Sequence, residues 1–257
     1  RRQHGLDPRV SPVIVVPYHQ DERLPAGSLP VPGDGHRTVS PALPDGDVWH
    51  RLTSLYDAVA VAVAASEAPP VVVSGDCLVS LGVLAGTQRA GADPSLIWFD
   101  AHGDVHTLET STSGYLGGLS LRLAIGAHAD LVAGPLGLRP VGEDRVTLVG
   151  ARDLDPAEVD YLATAAIQRR SVTDTLVPDG PVVLHIDLDV IDADDLPGLL
   201  FPVRGGPSTG TVVDAVRRIV DTGQVVALDI ACPWHPANDP QRADLLAALT
   251  HCPAPLP

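Results

Sequence analysis

Two short stretches of the sequence place acids and imidazoles at alternate positions directly after apolar runs. The polar side chains of IWFDAHGDVH, residues 97–106, are Asp100, His102, Asp104 and His106. In HIDLD, residues 185–189, Asp187 and Asp189 have the same spacing. Alternate residues of an extended chain share a face, so each stretch directs its carboxylates to one side. Buried carboxylates repel each other unless a cation lies between them, and the pattern therefore predicts a cation site.

The side-chain chemistry narrows the kind of cation. Several carboxylates with an imidazole suit Mn²⁺ or a similar divalent ion better than the Cys/His set typical of zinc. One ion does not need so many carboxylates, whereas two ions about 3.5–4 Å apart would use them. Acids scattered on surface loops are the alternative, but both stretches follow runs too apolar to be exposed.

Composition limits the classes of protein to consider. A chain of 257 residues with 45% hydrophobic and 19% charged residues is long and apolar enough to fold as one domain over residues 1–257. Its net charge of −15 gives no electrostatic attraction for nucleic acid or for anionic membranes. We therefore expect neither nucleic acid nor membrane as a partner.

Cellular location and redox state follow from two further features. No apolar run is long enough to span a bilayer, and the N-terminal stretch RRQHGLDPRV has no apolar signal core, which favours the cytoplasm. Because the sequence contains no Met, removal of a leader stays open as the alternative. Three cysteines, Cys77, Cys232 and Cys252, are too few for a disulfide scaffold and are interpreted as free thiols or ligands.

Short apolar, β-branched runs alternate with segments of helical pattern along the chain. The runs are residues 12–16, 70–73, 95–99, 145–149, 181–186 and 224–228. Near-continuous apolar runs are typical of parallel strands buried on both faces. Helices are predicted over residues 48–68, from Pro156 after an N-cap at Asp155, and over 208–222 before Gly223. Residues 25–47 are predicted to be a long loop, and the whole pattern predicts a three-layer α/β/α sandwich. Because polar residues follow the strands, one crevice at their carboxyl ends is expected.

The order and content of the motifs resemble those of the ureohydrolase superfamily, which includes arginase, agmatinase and formiminoglutamase. Residues 100–118, DAHGDVHTLETSTSGYLGG, are similar to the arginase stretch DAHxDxN-T…TTTSGNLHG. Residues 187–206, DLDVIDADDLPGLLFPVRGG, are similar to DxDxxDPxxxPGxxxPxxGG. SGDC at 74–77 stands where the family has GGDH, while GARDLDPAE at 150–158 and LDI at 228–230 match further motifs. Together they cover most of residues 70–235.

The resemblance implies an α/β/α fold with a parallel sheet of about eight strands, assembled as a trimer or hexamer. It also implies two divalent metal ions, Mn²⁺ first, held by Cys77, Asp100, His102, Asp104, Asp187 and Asp189. Asp100 and Asp187 would bridge the ions. A hydroxide between the ions, oriented by Asp104, would attack a trigonal carbon and cleave a linear, non-peptide C–N bond.

The resemblance also implies how an amino-acid-like substrate would be held. Ser113 and His106 fall where arginase binds the α-carboxylate, and Asp155 falls where the α-ammonium is bound. Asp155 has an equally good structural interpretation as the N-cap of the helix from Pro156. Both roles are kept open here.

Cys77 departs from the family because a histidine ligand is expected there. A thiolate is a softer ligand, which shifts the preference towards Zn²⁺, Co²⁺ or Fe²⁺. The alternative is a small buried cysteine and a weakened ion site. Some arginase relatives with this substitution hydrolyse N-omega-hydroxyarginine, which makes that compound a candidate substrate.

Two more departures lie at the substrate. Cys232 stands at the position of the guanidinium-binding Glu, and a thiol cannot form the bidentate pair that a carboxylate forms. Gly117 stands at the position of the proton-shuttling His, so another group must deliver a proton. His106 is the first candidate for that catalytic role and His19 is a weaker one.

These observations lead to one hypothesis and two alternatives. The first is a binuclear metal hydrolase, an amidinohydrolase acting on a small guanidino, hydroxyguanidino or amidino amino-acid derivative. The second is a catalytically silent ureohydrolase-like binding or regulatory subunit. The third is a hydrolase of an amide or formimino substrate, which would not need a guanidinium-binding Glu.

Overall fold

The computed structural model describes residues 11–237 and 239–250, so the N-terminal stretch and Cys252 lie outside it. Within these ranges the strands are β1 Val13–Val16, β2 Tyr18–His19, β3 Glu22–Arg23, β4 Arg37–Thr38, β5 Val71–Ser74, β6 Ser95–Phe99, β7 Val146–Val149, β8 Gln168–Arg170, β9 Val182–Asp187 and β10 Val225–Ala231. The α-helices are α1 Val48–Ala64, α2 Ser80–Arg89, α3 Ser120–Ala124, α4 Ala133–Leu136, α5 Pro156–Leu162, α6 Thr209–Val220 and α7 Pro240–Thr250.

Eight strands form one sheet in the order β4-β1-β5-β10-β9-β6-β7-β8. Every neighbouring pair is parallel. The inner strands β5, β6 and β9 are buried along their whole length, as expected where helices cover both faces. The predicted parallel sheet of about eight strands is confirmed.

Helices cover the two faces of the sheet and complete three layers. On one face α1, α2, α3 and α4 pack over side chains such as Trp98 and Leu148. On the other face α6 and α7 pack over side chains such as Phe99 and Ile186. Trp98 and Phe99 are neighbours on β6 and enter opposite layers because successive strand residues point to opposite faces. The predicted α/β/α sandwich is confirmed.

The edges of the sheet differ from the sequence prediction. The predicted loop over residues 25–47 contains β4, which pairs with β1 through Ile14 and Arg37. At the other edge, β8 is a short strand of exposed polar residues. Edge strands with little burial carry no hydrophobic pattern, so neither strand was predicted. No helix in the described ranges is long and apolar enough to cross a membrane.

The strand order determines which loops meet at the carboxyl edge of the sheet. Cys77 follows β5, Asp100 follows β6 and Asp187 ends β9. In the sheet β9 lies between β6 and β10, and β5 lies beyond β10. Three segments that are distant in sequence therefore open into the same crevice.

Candidate metal centre and active-site cavity

Two groups of potential metal ligands lie in this crevice and share one carboxylate. The first group is Cys77, Asp100 and Asp187, and the second is Asp100, His102 and Asp189. Within each group the ligand atoms lie within 4.8 Å of one another. Asp100 belongs to both groups, so the arrangement suits two neighbouring cations that share a ligand.

Two short 3₁₀ turns aim the ligands of the first group at each other. Asp76 caps the turn Cys77–Val79 by accepting a 2.8 Å hydrogen bond from the Leu78 N–H. Asp187 caps the turn Leu188–Val190 by accepting a 2.8 Å hydrogen bond from the Asp189 N–H. The Sγ of Cys77 consequently lies 2.8 Å from Oδ2 of Asp187. Local capping therefore sets the distance between these two ligands.

Asp100 is held by its own strand and by the histidine that follows it. Its Oδ1 accepts a 2.7 Å hydrogen bond from the His102 N–H, and its Oδ2 accepts a 3.1 Å bond from Nε1 of Trp98. The Nδ1 atom of His102 lies 3.3 Å from Oδ1 of Asp100 and 3.1 Å from Oδ2 of Asp189. The imidazole nitrogen thus stands between two carboxylates.

A buried pair beneath the ligands supports Trp98. His185 stacks on the indole with ring centroids 3.7 Å apart, and its Nδ1 lies 2.7 Å from Oδ2 of Asp229. Both side chains of this pair are fully buried. The stack restrains the Trp98 ring, and hence its hydrogen bond to the shared carboxylate of Asp100.

Asp104 is a buried acid whose Oδ2 has no hydrogen-bond partner among the described residues. Its φ of +53° lies in the left-handed region, which few residues other than glycine adopt. An unpartnered buried carboxylate oxygen is costly, and a bound cation would satisfy it. Asp104 belongs to neither of the two ligand groups, but it lines the same cavity as Cys77 and Asp187.

The electrostatics of the crevice favour a cation. Burial and the carboxylates of Asp100 and Asp187 raise the pKa of Asp104 well above its usual value. Burial and the neighbouring acids also raise the pKa of Asp187, and they raise that of Asp189 to about 6. Although burial works in the opposite direction, hydrogen bonds to Asp100 and Asp189 raise the pKa of His102 to about 12. Oxygen, nitrogen and sulfur donors gathered in this way fit a divalent metal ion.

The ligands open into a cavity of about 280 Å³. Its lining residues are Cys77, His102, Asp104, His106, Ser111, Ser113, Tyr115, Gly117, Gly118, Asp153, Asp155, Glu158, Asp187, Asp189 and Phe201. The volume is near the lower end of the range for small-molecule sites, about 300–1,000 Å³. The cavity can therefore hold a small substrate directly beside the ligand groups.

The residues predicted to bind an amino-acid substrate line the same cavity. Nε2 of His106 lies 3.1 Å from Oδ2 of Asp155, which is also the N-cap residue of α5. The Oγ of Ser113 accepts a 3.2 Å hydrogen bond from the Tyr115 N–H, which leaves its hydroxyl hydrogen free to donate. The Glu158 carboxylate accepts hydrogen bonds from the N–H groups of Val105 and Asp155, at 3.3 and 3.1 Å. Glu158 thus ties the loop after β6 to α5.

Comparison with known proteins identifies the family. The family model described as the Arginase family matches residues 17–252. This chain belongs to the arginase family. It is 33% identical over 176 residues to the arginase of Bacillus subtilis, a match that covers 62% of this chain and 60% of that protein. It is 30% identical over 238 residues to the N(omega)-hydroxy-L-arginine amidinohydrolase of Streptomyces lavendulae, covering 86% of this chain and 84% of the other.

A solved structure of the arginase family supports the fold. The crystal structure of arginase from Bacillus subtilis has a TM-score of 0.76 to this chain at 24% sequence identity. The similarity covers 94% of this chain and 96% of the other. The sequence match to that organism's arginase spans less than two thirds of its length, so the likeness in architecture is broader than the likeness in sequence.

Cys232 does not line the cavity. Its side chain is 2% exposed and packs in the apolar layer beneath α6 and α7, while its N–H donates to the Ser74 carbonyl. Burial, together with the acids Asp187 and Asp229, raises the pKa of the thiol. The substrate-binding role predicted for this residue is therefore not part of the function proposed below.

The structure also brings to the cavity several residues for which no role was predicted from the sequence. Tyr115, Asp153 and Phe201 are among them, and the Tyr115 and Phe201 rings lie 4.7 Å apart. Phe201 is 38% exposed. Tyr115 is an aromatic residue within a run of Ser, Thr and Gly, and Phe201 is one of only two phenylalanines in the chain. Those departures from local composition were the available signals.

The pKa shifts predict a pH dependence of metal binding. Asp104, Asp187 and Asp189 have raised pKa values, so protons compete with the ion until the pH exceeds those values. We expect affinity to tighten and proton release to fall as the pH rises from about 5 to about 7. In the ion-free protein these acids bind more protons folded than unfolded, so stability declines as the pH rises from the ordinary Asp value of about 4 through the Asp189 value of about 6.

Titration calorimetry with Mn²⁺ in two buffers of different ionisation enthalpy measures the released protons. Thermal unfolding of the ion-free protein across the same pH range measures the second effect. An affinity that does not change with pH would contradict the assignment of these acids as ligands.

Proposed function

We propose that this chain is a metal-dependent hydrolase of a linear, non-peptide C–N bond in a small amino-acid derivative. The preferred substrate class is a hydroxyguanidino amino acid, with N-omega-hydroxy-L-arginine as the first compound to test. Guanidino and amidino derivatives are secondary candidates. The cofactor is a pair of divalent ions, with Mn²⁺ tested first and Zn²⁺, Co²⁺ and Fe²⁺ as the alternatives that Cys77 introduces.

One observation carries the proposal: two ligand groups share Asp100, and their other four members line a substrate-sized cavity. Cys77 and Asp187 would hold one ion, and His102 and Asp189 would hold the other. Asp104 would add its unpartnered oxygen. When bound, two such ions act as Lewis acids and make water available as hydroxide near neutral pH.

The protein's own residues then bind and orient the substrate. The free hydroxyl hydrogen of Ser113 and the imidazole of His106 suit a carboxylate, and Asp155 suits an ammonium group. Asp155 is largely exposed, with 62% of its side chain accessible, so it can reach a substrate that enters from solvent. The amino-acid end of the substrate would therefore lie towards the loop after β6 and the start of α5, with the scissile bond over the ligands.

Two observations favour a hydroxyguanidine over an ordinary guanidinium. The Streptomyces lavendulae relative is named for N(omega)-hydroxy-L-arginine, and the match spans most of both chains. In addition, Cys232 supplies a buried thiol off the cavity in place of a carboxylate. N-Hydroxylation lowers the basicity of a guanidine, so the hydroxylated substrate depends less on a paired carboxylate.

The predicted result is turnover that discriminates between these substrates. Protein purified under reducing conditions and loaded with Mn²⁺, Co²⁺ or Zn²⁺ should contain two ions per chain. We expect its kcat/KM to be at least about 10-fold higher for N-omega-hydroxy-L-arginine than for L-arginine, a difference of about 1.4 kcal/mol. Colorimetric detection of released hydroxyurea and urea measures both rates.

Other results of this experiment would support a different function. Two bound ions with turnover of only amide or formimino compounds would replace the proposed substrate class. No ion binding and no turnover would favour a silent binding or regulatory subunit. A cytoplasmic location remains a prediction from the absence of an apolar span or signal core in the sequence. A trimeric or hexameric assembly remains a prediction from the resemblance, and gel filtration with light scattering tests it.

A further inference from the structure

The ring of Tyr115 occupies the space beside Gly117. A Cβ atom added at Gly117 would lie 2.3 Å from Cε1 and 2.6 Å from the hydroxyl oxygen of Tyr115. At these distances, a side chain at position 117 would force the Tyr115 ring to move. The glycine and the tyrosine are therefore one structural feature: the missing side chain at 117 makes room for the phenol.

Three contacts fix the orientation of this phenol. The ring stacks on His19, with centroids 5.7 Å apart, and lies 4.7 Å from the Phe201 ring. The Tyr115 hydroxyl lies 3.4 Å from Nε2 of His19, and Nδ1 of His19 lies 3.0 Å from the Gly75 carbonyl oxygen. A carbonyl can only accept, so Nδ1 donates, and in that tautomer Nε2 accepts from the Tyr115 hydroxyl.

The hydroxyl is available to a substrate. Tyr115 lines the same cavity as Cys77 and Asp187. Its contact with His19 is long for a hydrogen bond, so exchanging it for a bond to substrate costs little.

We propose that Tyr115 is a catalytic residue that protonates the leaving nitrogen, and that His19 is the positioning residue that holds its ring. The inference rests on the proposed function. As the C–N bond breaks, its electron pair goes to nitrogen, which takes the phenolic proton. Solvent then returns a proton to the Tyr115 oxygen, balancing the proton that water lost on becoming hydroxide.

The test is Tyr115→Phe, which keeps the ring beside Gly117 and removes only the hydroxyl. With N-omega-hydroxy-L-arginine as probe, we expect kcat to fall by about 100-fold or more, while KM and the number of bound ions stay close to wild type. Tyr161→Phe is the matched control, because that hydroxyl bonds Glu143 away from the cavity, and it should keep wild-type kcat.

Two further variants separate chemistry from structure. Gly117→Ala keeps the tyrosine and its hydroxyl group but pushes both from their position beside residue 117, so it should also lower kcat. His19→Phe keeps a ring for stacking and removes the acceptor, so it should lower kcat about 10-fold alone and have no further effect in the Tyr115→Phe background. A purely structural role for His19 would lower kcat equally in both backgrounds.

The two proposals fail in different ways. Wild-type kcat in a Tyr115→Phe protein that holds two ions would overturn the donor role and leave the proposed function intact. A wild-type protein that holds two ions and hydrolyses none of the guanidino, hydroxyguanidino or amidino probes would overturn the proposed function, and the donor role with it.

Discussion

Replacing Asp187 by asparagine is expected to abolish binding of the ion beside Cys77 and, with it, hydrolysis. The Asp187 carboxylate lies 2.8 Å from the Cys77 sulfur and belongs to the first ligand group. Removing a residue that hydrogen-bonds to a metal ligand typically lowers metal affinity or activity by about 10–100-fold. Loss of a direct ligand should therefore lower them by more than about 100-fold. Calorimetric titration with Mn²⁺ and the hydroxyurea assay measure the two losses.

The same substitution should not destabilise the ion-free protein, which separates lost chemistry from lost folding. Burial and neighbouring carboxylates raise the pKa of Asp187, so at neutral pH the ion-free fold bears the cost of an unfavourable acid. Asparagine removes that cost and keeps one acceptor oxygen for the bonds from Cys77 or Asp189. Its unfolding temperature without metal should equal or exceed that of wild type, whereas added Mn²⁺ should raise it less.

A matched control removes an acid of the same type from the surface. The Asp214 side chain on α6 is 78% exposed, and Asp214→Asn should leave ion binding, turnover and stability near wild type. Asp187→Asn protein that still binds two ions and turns over substrate would show that Asp187 is not a ligand.

The sequence predicted the inner sheet and the acid clusters for the same physical reason. Strands β5, β6 and β9 are buried on both faces, so their runs of Val, Ile and Leu stand out. Polar residues that end such runs, as Asp100 and Asp187 do, must lie at the carboxyl edge of the sheet. The two segments meet there because β9 lies beside β6 in the sheet.

Features that depend on tertiary neighbours were beyond the sequence. Strands β4 and β8 lie at the sheet edges and are largely exposed, so no apolar pattern marks them. Cys232 directly follows β10, and the layer that its side chain enters depends on the tertiary packing. The aligned family position predicted a side chain in the cavity, whereas Cys232 packs in the apolar layer. The Tyr115 ring occupies the space that a side chain at position 117 would fill, and the spacing of residues in the sequence does not reveal that contact.

Replacing Cys77 has the second large expected effect, and it concerns the identity of the metal. The thiol is buried in the first ligand group, and burial together with Asp187 raises its pKa. It must therefore lose a proton when it binds an ion. Because a thiolate prefers softer ions, Cys77→Ser should lower affinity for Zn²⁺ and Co²⁺ by more than about 10-fold and affinity for Mn²⁺ by less. Cys77→His should shift the preference back towards Mn²⁺.

Cys232→Ser is the matched control, since Cys232 is the other buried free thiol in the described part of the chain but packs in the apolar layer off the cavity. Loading with Co²⁺ gives a direct spectroscopic measure, because a cobalt–thiolate bond produces a charge-transfer band in the near ultraviolet. Wild type and Cys232→Ser should show the band, and Cys77→Ser should not. If the band survives in Cys77→Ser and disappears in Cys232→Ser, the sulfur ligand is Cys232, on the other face of the sheet. The ligand groups around Asp100 would then have no thiolate, and the predicted preference for softer ions would be wrong.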